Sequence, residues 1–430
     1  MPKKAIIETY GCTLNQADSD IMAGLLSRQG IAVEQGRYSI GDGYDYVIIN
    51  TCTVKTPTEQ KILSRLEKLN GLGNRLIVAG CLASADAEKI SKTVPLASII
   101  STSNISRISD VVSEVDAGTQ ARYLQYMRTD KLALFGNGRS SVIARIPISE
   151  GCLSSCTFCE TKFARGPLNS FSEDLILRAA MMSIASGAKE IELTSQDTGA
   201  YGFDKKTNIA ELATRVSAID GEFRVRIGML NPEHLHRYFD DLVAAYKSEK
   251  IYKFIHLPVQ SGSDKVLRDM KRRYSVEEFR DYIVELRRKV PGISIATDII
   301  VGYPTETDSD FEESMALIKE IMPSITNVSK FGARPHAPAS KLKQLPNLTI
   351  KERSVRMSRL VREIQSKNRA ALLNTERRVL ITEMNGKSFT GRDDSYNEVA
   401  LVDGSAHLGE FKMVRIVGNS SGCVLGSAID

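Results

Sequence analysis

Cys152, Cys156 and Cys159 stand together in the segment EGCLSSCTFCETKFARG with the spacing C-x3-C-x2-C. Three thiolates on one loop can hold three irons of a [4Fe–4S] cluster and leave the fourth iron open. The amino and carboxylate groups of S-adenosylmethionine can chelate an open iron, so the spacing points to radical generation from that cofactor. A zinc site without a nearby fourth ligand is the other reading of these residues. Cys12, Cys52 and Cys81 are far apart, yet each follows the end of an expected strand by a few residues. In an open parallel sheet those strand ends share the edge where ligands bind, so the three could meet at a second cluster. They could equally be three small buried hydrophobes. Cys423 reads as a packed core residue. Seven cysteines is an odd number, which favours metal or redox chemistry over disulfides.

The elements that must position these residues are of three kinds. In the first hundred residues, apolar runs at Ala5–Tyr10, Tyr46–Asn50 and Leu76–Ala79 alternate with helical patterns, the signature of a parallel sheet covered by helices. Ala17, Ile21, Met22, Leu25 and Leu26 make one helical face, and Thr56-Pro57-Thr58-Glu59 has the form of a capping box opening the next helix. From Arg107 to Arg139 the pattern weakens, and the stretch reads as a linker with a hairpin. Six further strand candidates follow, at Val142–Ile148, Glu190–Thr194, Phe223–Met229, Lys253–Leu257, Ile293–Ile300 and Ile325–Phe331, and predict a six-unit α/β partial barrel. After Ala371 only short strands and turn signals remain (Asn385-Gly386, Asp403-Gly404, Gly418-Asn419), which predicts a small antiparallel β-barrel. The expected domains are 1–110, a linker 111–138, 139–370 and 371–430.

Of the residues, 42% are hydrophobic and 25% charged, as in ordinary soluble domains. No apolar run approaches the ~20 residues of a membrane span. Met1-Pro-Lys-Lys is not followed by a signal-like stretch, so a cytoplasmic monomer without membrane attachment is expected. The net charge is +5, and the segment from Lys351 to Arg369 alone carries seven basic residues against Glu352 and Glu363. Beyond Ala371, by contrast, six basic residues face eight acidic ones, a poor match for phosphate. RNA contact there would rest on local patches, on the preceding basic helix, and on Phe389, Tyr396 and Phe411 as stacking surfaces.

The stretches TYGCTLNQADS, INTCTVKTPTEQK, VAGCLA, SEGCLSSCTFC, HLPVQSGSDKVLRDMKRRY and TDIIVGYPTET, in that order, resemble the radical S-adenosylmethionine methylthiotransferase family over nearly the whole chain. The resemblance implies an amino-terminal domain with an auxiliary [4Fe–4S] cluster on Cys12, Cys52 and Cys81. It also implies a radical domain with its cluster on Cys152, Cys156 and Cys159, and a terminal RNA-binding barrel of the TRAM type. The YGCTLNQ form and the GRDDSYNEV segment from Gly391 look most like the archaeal and eukaryotic branch, which acts on N6-threonylcarbamoyladenosine in tRNA. Other branches modify an isopentenylated adenosine or a ribosomal-protein aspartate. A two-cluster RNA-binding or electron-transfer protein is the reading from another class.

The family chemistry implies a radical formed from S-adenosylmethionine, sulfur delivered from the auxiliary cluster, and an electron donor and a sulfur source as partners. Candidate cofactor contacts lie at the carboxyl ends of the barrel strands: Phe158 between the cluster cysteines, Gln196, Asp197, Gln260, Ser261, Asp298, Gly302 and Tyr303. Turn chemistry and helix capping are the alternative for these residues, with Ser261 and Ser263 both able to cap the next helix. Arg272 and Arg273 could meet the cofactor carboxylate, the RNA or only solvent. His256 and His336 lie near strand ends or the basic region.

Overall fold

The computed structural model describes residues 2–429 apart from 54–55, 135–140, 387 and 403–405. The expected turn at Asp403-Gly404 and the expected boundary at 138/139 lie outside the described residues.

Strands β1 (Lys4–Thr9), β2 (Ala32–Gln35), β3 (Tyr46–Thr51), β4 (Leu76–Gly80), β5 (Ser98–Ile100) and β6 (Arg122–Tyr123) form one sheet in the order β2-β1-β3-β4-β5-β6. Every pairing is parallel. β3 and β4 are buried along their whole length, which is why they read as unbroken apolar runs. Ile21, Met22 and Leu26 of the first helix (Thr13–Arg28) pack on one face of the sheet. Ile62, Leu66 and Leu69 of the second helix (Thr56–Leu69) pack on the other. The described part of the stretch read as a linker carries regular elements. Ile108–Asp116 is a helix whose Ile108, Val111, Val112 and Val115 are buried, and β6 joins the sheet edge beside β5. Its apolar residues do follow a helical spacing, but over barely two turns, and their partner is a sheet face distant in sequence. The short β2 and β5 were not expected either.

β7 (Ile143–Pro147) begins the second sheet, and β8 (Ser149–Glu150) pairs with β9 (Asn169–Ser170) to close the intervening loop that holds three cysteines. β10 (Glu190–Thr194), β11 (Arg224–Ile227), β12 (Phe254–His256), β13 (Ser294–Val301) and β14 (Ile325–Lys330) follow. Parallel ladders run β7-β10-β11 and β12-β13-β14, and parallel bridges Val225↔Ile251 and Met229↔His256 join the two. The result is the expected six-stranded partial barrel.

The basic helix, Asn347–Ala370, buries Ile350, Met357, Val361 and Ile364 against the barrel. Part of its positive charge is spent internally. Buried Arg353 pairs with Glu306 at 2.6 Å and Asp308 at 2.7 Å, and Arg356 pairs with Glu312 at 2.6 Å.

β15 (Glu376–Asn385), β16 (Ser388–Asp393), β17 (Glu398–Leu401), β18 (Phe411–Asn419) and β19 (Val424–Ala428) close a barrel in the order β15-β16-β17-β19-β18. One pairing, β17 with β19, is parallel, so the barrel is not purely antiparallel. Cys423 is not core: it sits half-buried in the turn before β19, its thiol 3.2 Å from Ser420 Oγ. Among the described residues no helix is long and apolar enough to cross a membrane.

The aromatic residues expected to stack on RNA are engaged elsewhere. Tyr396, held at φ +64 in the turn after β16, packs edge-on against Tyr252 and tilted against Phe254, with Arg226 and Arg392 over its ring. Arg224 and Arg378 lie over Phe411, and Phe389 packs on the barrel core. Tyr396 also hydrogen-bonds Glu190 Oε1 at 3.2 Å. Burial first, and the neighbouring Glu192 carboxylate second, push the Glu190 carboxyl up to about 7. Because the folded state holds this proton more tightly than the unfolded chain, the associated stability is present at acid pH and lost as pH rises through about 7. Replacing Glu190→Gln should therefore raise the thermal midpoint at pH 8 and leave it nearly unchanged at pH 4, below the ordinary carboxyl value, as read by calorimetry.

Candidate active site

Cys12 caps the first helix just after β1, Cys52 follows β3, and Cys81 opens a short helix (Cys81–Ala85) directly after β4. β1, β3 and β4 are neighbours, so all three thiols reach the same carboxyl edge. Two glycines let the loops close. Gly11 has φ +113, and a Cβ there would lie 2.9 Å from Cys52 Cβ; Gly80 has φ +96, and a Cβ there would lie 2.5 Å from Thr51 O. Asn15 organises the edge. Its Nδ2 donates to Tyr10 O and Thr51 O at 2.9 and 2.8 Å, while its Oδ1 lies 3.5 Å from Cys12 Sγ and 3.6 Å from Cys81 Sγ.

The other triad sits on the loop between β8 and β9, which Thr157 fastens to the barrel. Its Oγ1 donates to Asp269 O at 2.9 Å and lies 2.8 Å from Tyr303 Oη, while its backbone N–H donates to Met270 O. Cys156 Sγ accepts from Arg272 Nη1 at 3.4 Å, and Cys159 Sγ from the Thr161 N–H at 3.4 Å. Burial, the Asp197 carboxylate and the neighbouring thiols push Cys152 up to about 12. Cys81 is also pushed up to about 12, by burial first, with Arg165 opposing the shift. A thiol that must be deprotonated to bind metal gains from such cations.

The segment that follows Cys159 packs on the edge that carries Cys81. Cys81 packs with Ala85 and Ala164, and Thr53 donates to Glu160 Oε2 at 3.0 Å. Arg165, wholly buried, extends Nε to Cys81 Sγ at 3.2 Å, Nη1 to Glu150 Oε1, and Nη2 to both Asn15 Oδ1 and Asp18 Oδ2, each at 2.8 Å. Lys131, equally buried, lies 3.1 Å from Asp18 Oδ1 and 2.8 Å from Glu150 Oε2. Two cations and two carboxylates thus close a neutral ring between the domains. Among the described residues no group of ligating side chains suits a single metal ion. A cluster takes one thiolate per iron, which is what three thiols on a shared edge offer.

Gln196 Oε1 is buried without a partner, an atom that a polar ligand would satisfy. Asp197 Oδ1 accepts from Gly199 N and Asn231 N, both at 3.0 Å, and its Oδ2 lies 3.4 Å from His234 Nε2. Gln260, at φ +72, bridges its backbone to β13, and Asp298 binds His256 Nε2 at 3.0 Å and Asn327 Nδ2 at 2.7 Å. Other candidates serve packing. Ser261 Oγ faces Ser314 Oγ and accepts from Ser263 N; Ser263 Oγ donates to Asp310 instead of capping its helix. Gly302 makes room for Ile350, and Tyr303, fully buried, props the cluster loop with half-buried Phe158 packed near it. Arg272 is buried against Pro258 O and Tyr274 Oη, while Arg273 is exposed, 3.6 Å from Glu233. His336 stacks on Phe163 at 3.7 Å. Sequence reasoning missed Asn15, Asp18, Lys131, Glu150 and Arg165. Asn15, Asp18, Glu150 and Arg165 lie beside the cysteine motifs, but nothing local shows that they meet.

Residues 4–101 match the uncharacterized protein family UPF0004, and residues 146–318 match the radical SAM superfamily. An Archaeoglobus fulgidus protein named "Probable threonylcarbamoyladenosine tRNA methylthiotransferase" is 43% identical, over 96% of each chain. A Homo sapiens threonylcarbamoyladenosine tRNA methylthiotransferase is 34% identical over 96% of this chain and 72% of its own. The chain belongs to the threonylcarbamoyladenosine tRNA methylthiotransferase family. Members of that family in Drosophila melanogaster and Pyrococcus abyssi share 35% and 40% of residues with it, the latter over 99% of both chains. Among solved structures, the radical S-adenosylmethionine methyltransferase TsrM from Kitasatospora setae shares the fold, with TM-score 0.57 at 11% identity, covering 79% of this chain and 75% of that one.

Removing one member of a buried charge ring leaves its partners uncompensated. Arg165→Met should cost about 3–5 kcal/mol in denaturant unfolding, whereas Arg288→Met, which breaks an exposed pair with Glu285, should cost less than about 1 kcal/mol.

Proposed function

We propose that the protein attaches a methylthio group to C2 of N6-threonylcarbamoyladenosine in tRNA. Cys152, Cys156 and Cys159 hold a radical [4Fe–4S] cluster with S-adenosylmethionine, and Cys12, Cys52 and Cys81 hold an auxiliary [4Fe–4S] cluster. The observation that carries this reading is the tie between the amino-terminal thiol edge and the segment just after the second thiol set: Arg165, six residues beyond Cys159, donates to Cys81 Sγ at 3.2 Å. The names of relatives at 34–43% identity support the nucleoside. The reading includes an electron donor and a sulfur source, and a monomer acting in the cytoplasm.

Bound at these residues, the clusters and S-adenosylmethionine supply radical chemistry able to replace hydrogen on a ring carbon that offers neither an acidic proton nor a leaving group. The chain's own residues prepare the place for it. Thr157 and Tyr303 fix the loop of the radical triad, and Arg272 and Arg165 set positive charge beside one thiol of each triad. The packing of the Cys81–Ala85 helix on Ala164 buries the Cys81 side of the domain boundary.

One observation favours a protein substrate instead, the acidic excess of the terminal barrel. Mass spectrometry of tRNA nucleosides decides between them: deletion of the gene should abolish 2-methylthio-N6-threonylcarbamoyladenosine, and an unchanged level would refute the tRNA reading. Iron and sulfide analysis of anaerobically reconstituted protein should give about eight irons per chain, and replacing Cys12, Cys52 and Cys81 with alanine should remove about half.

A further inference from the structure

A cavity of about 1050 Å³ opens at the carboxyl ends of β1 and β2, walled by the second helix and by Arg145 of β7. The sheet order β2-β1-β3 puts the topological switch point, where open α/β sheets bind ligands, between β1 and β3, and the cavity lies beside it on the β1/β2 side. Five cations line the cavity against one carboxylate, Glu8, which Arg65 already neutralises at 2.9 Å. Arg145 is shared with Glu192. The remaining three, Arg37, Lys61 and Lys68, are exposed and form no ion pair within 4 Å among the described residues. Lys61 and Lys68 are seven residues apart on one helix, so they sit about 10 Å apart along a single face, the reach of more than one phosphate.

The lining suits a polyanion rather than a small organic molecule. Small-molecule sites are mostly apolar, whereas here glutamine amides (Gln16, Gln35, Gln60) and cations dominate and the lining's aromatic ring, Tyr10, has its hydroxyl bound to Glu8. The cavity abuts the loop of the first cysteine, since Thr9 and Tyr10 of its wall immediately precede Gly11 and Cys12. It also supplies what the terminal barrel lacks. That barrel is net acidic and its aromatic candidates are half-buried in other contacts, and the basic helix uses Arg353 and Arg356 in ion pairs.

We propose that this cavity binds the phosphodiester backbone of the substrate RNA, holding the strand beside the cysteine edge. The inference rests on the tRNA reading above.

The test is fluorescence anisotropy of a labelled tRNA anticodon stem-loop with the reconstituted full chain, titrated across salt concentrations. One variant is Arg37→Gln/Lys61→Gln/Lys68→Gln; the comparison is Lys351→Gln/Arg362→Gln/Lys367→Gln on the basic helix. Circular dichroism and iron content verify that each folds and loads. Affinity of the cavity variant should fall about tenfold or more, and the slope of log K against log salt should shrink by about two, since each phosphate contact contributes about 0.7 to 0.9. Unchanged affinity and slope in the cavity variant, with loss confined to the helix variant, would overturn the inference. Inorganic phosphate or AMP competing at micromolar concentration would also overturn it, by marking a small-anion site. If the wild-type chain itself does not bind the RNA, the tRNA reading fails instead.

Discussion

Four buried charges hold this molecule's chemistry in place. Asp18 comes from the first helix, Lys131 from the segment between the domains, Glu150 from the strand before the radical loop, and Arg165 from the helix after it. An isolated ion at this depth would be unstable, because desolvation costs several kcal/mol per ion. Each therefore requires the other three, and the four can meet only when both domains and the cysteine loop are in register. The same guanidinium touches Cys81 and Asn15. Positioning of Cys81 is thus coupled to satisfying the charges and to the packing of the two domains.

Around this ring, the supporting parts follow from ordinary backbone rules. Parallel strands put their following loops on one edge, glycines at positive φ let two of those loops approach, and the amides of Asn15 tie the edge together. At the opposite end of the partial barrel, the turn from β16 to β17 inserts Tyr396 among Tyr252, Phe254 and Arg226. Tyrosine at positive φ is uncommon and disfavoured, and the contacts around the ring, together with Asp393 accepting from Ser395 N and Asn397 N, hold it there. Tyr396 and Phe411 therefore help dock the terminal barrel on the radical domain, while Phe389 packs on the barrel's own core.

The strands of both parallel sheets were legible because buried parallel strands are continuous apolar runs of characteristic length. The short β2, β5 and β6 were not, since two to four residues carry no periodicity. The six cysteines could be singled out by spacing and by their place after strands. Arg165 could not be given its contacts, because its partners lie up to 150 residues away and a charged residue in a loop looks solvated until they are known. Lys131 was hidden for the same reason, in a stretch whose pattern is weak. The aromatic residues of the terminal barrel pointed in another direction: their type fits base stacking, but in the folded chain their half-buried rings are engaged by arginines and by packing.

The ring has a consequence for the birth of the protein. Asp18 is made early, and its partner Arg165 follows 147 residues later. At about 5–20 residues per second, the ribosome needs on the order of ten seconds to supply it. During that interval the amino-terminal sheet can form, but its Asp18 carboxylate has no ring partner until Lys131 is made, and Arg165 and the facing loop come later still. The nascent domain must hold this edge toward water until the radical loop emerges, so final closure is a late event of synthesis, set by chain order rather than by local stability.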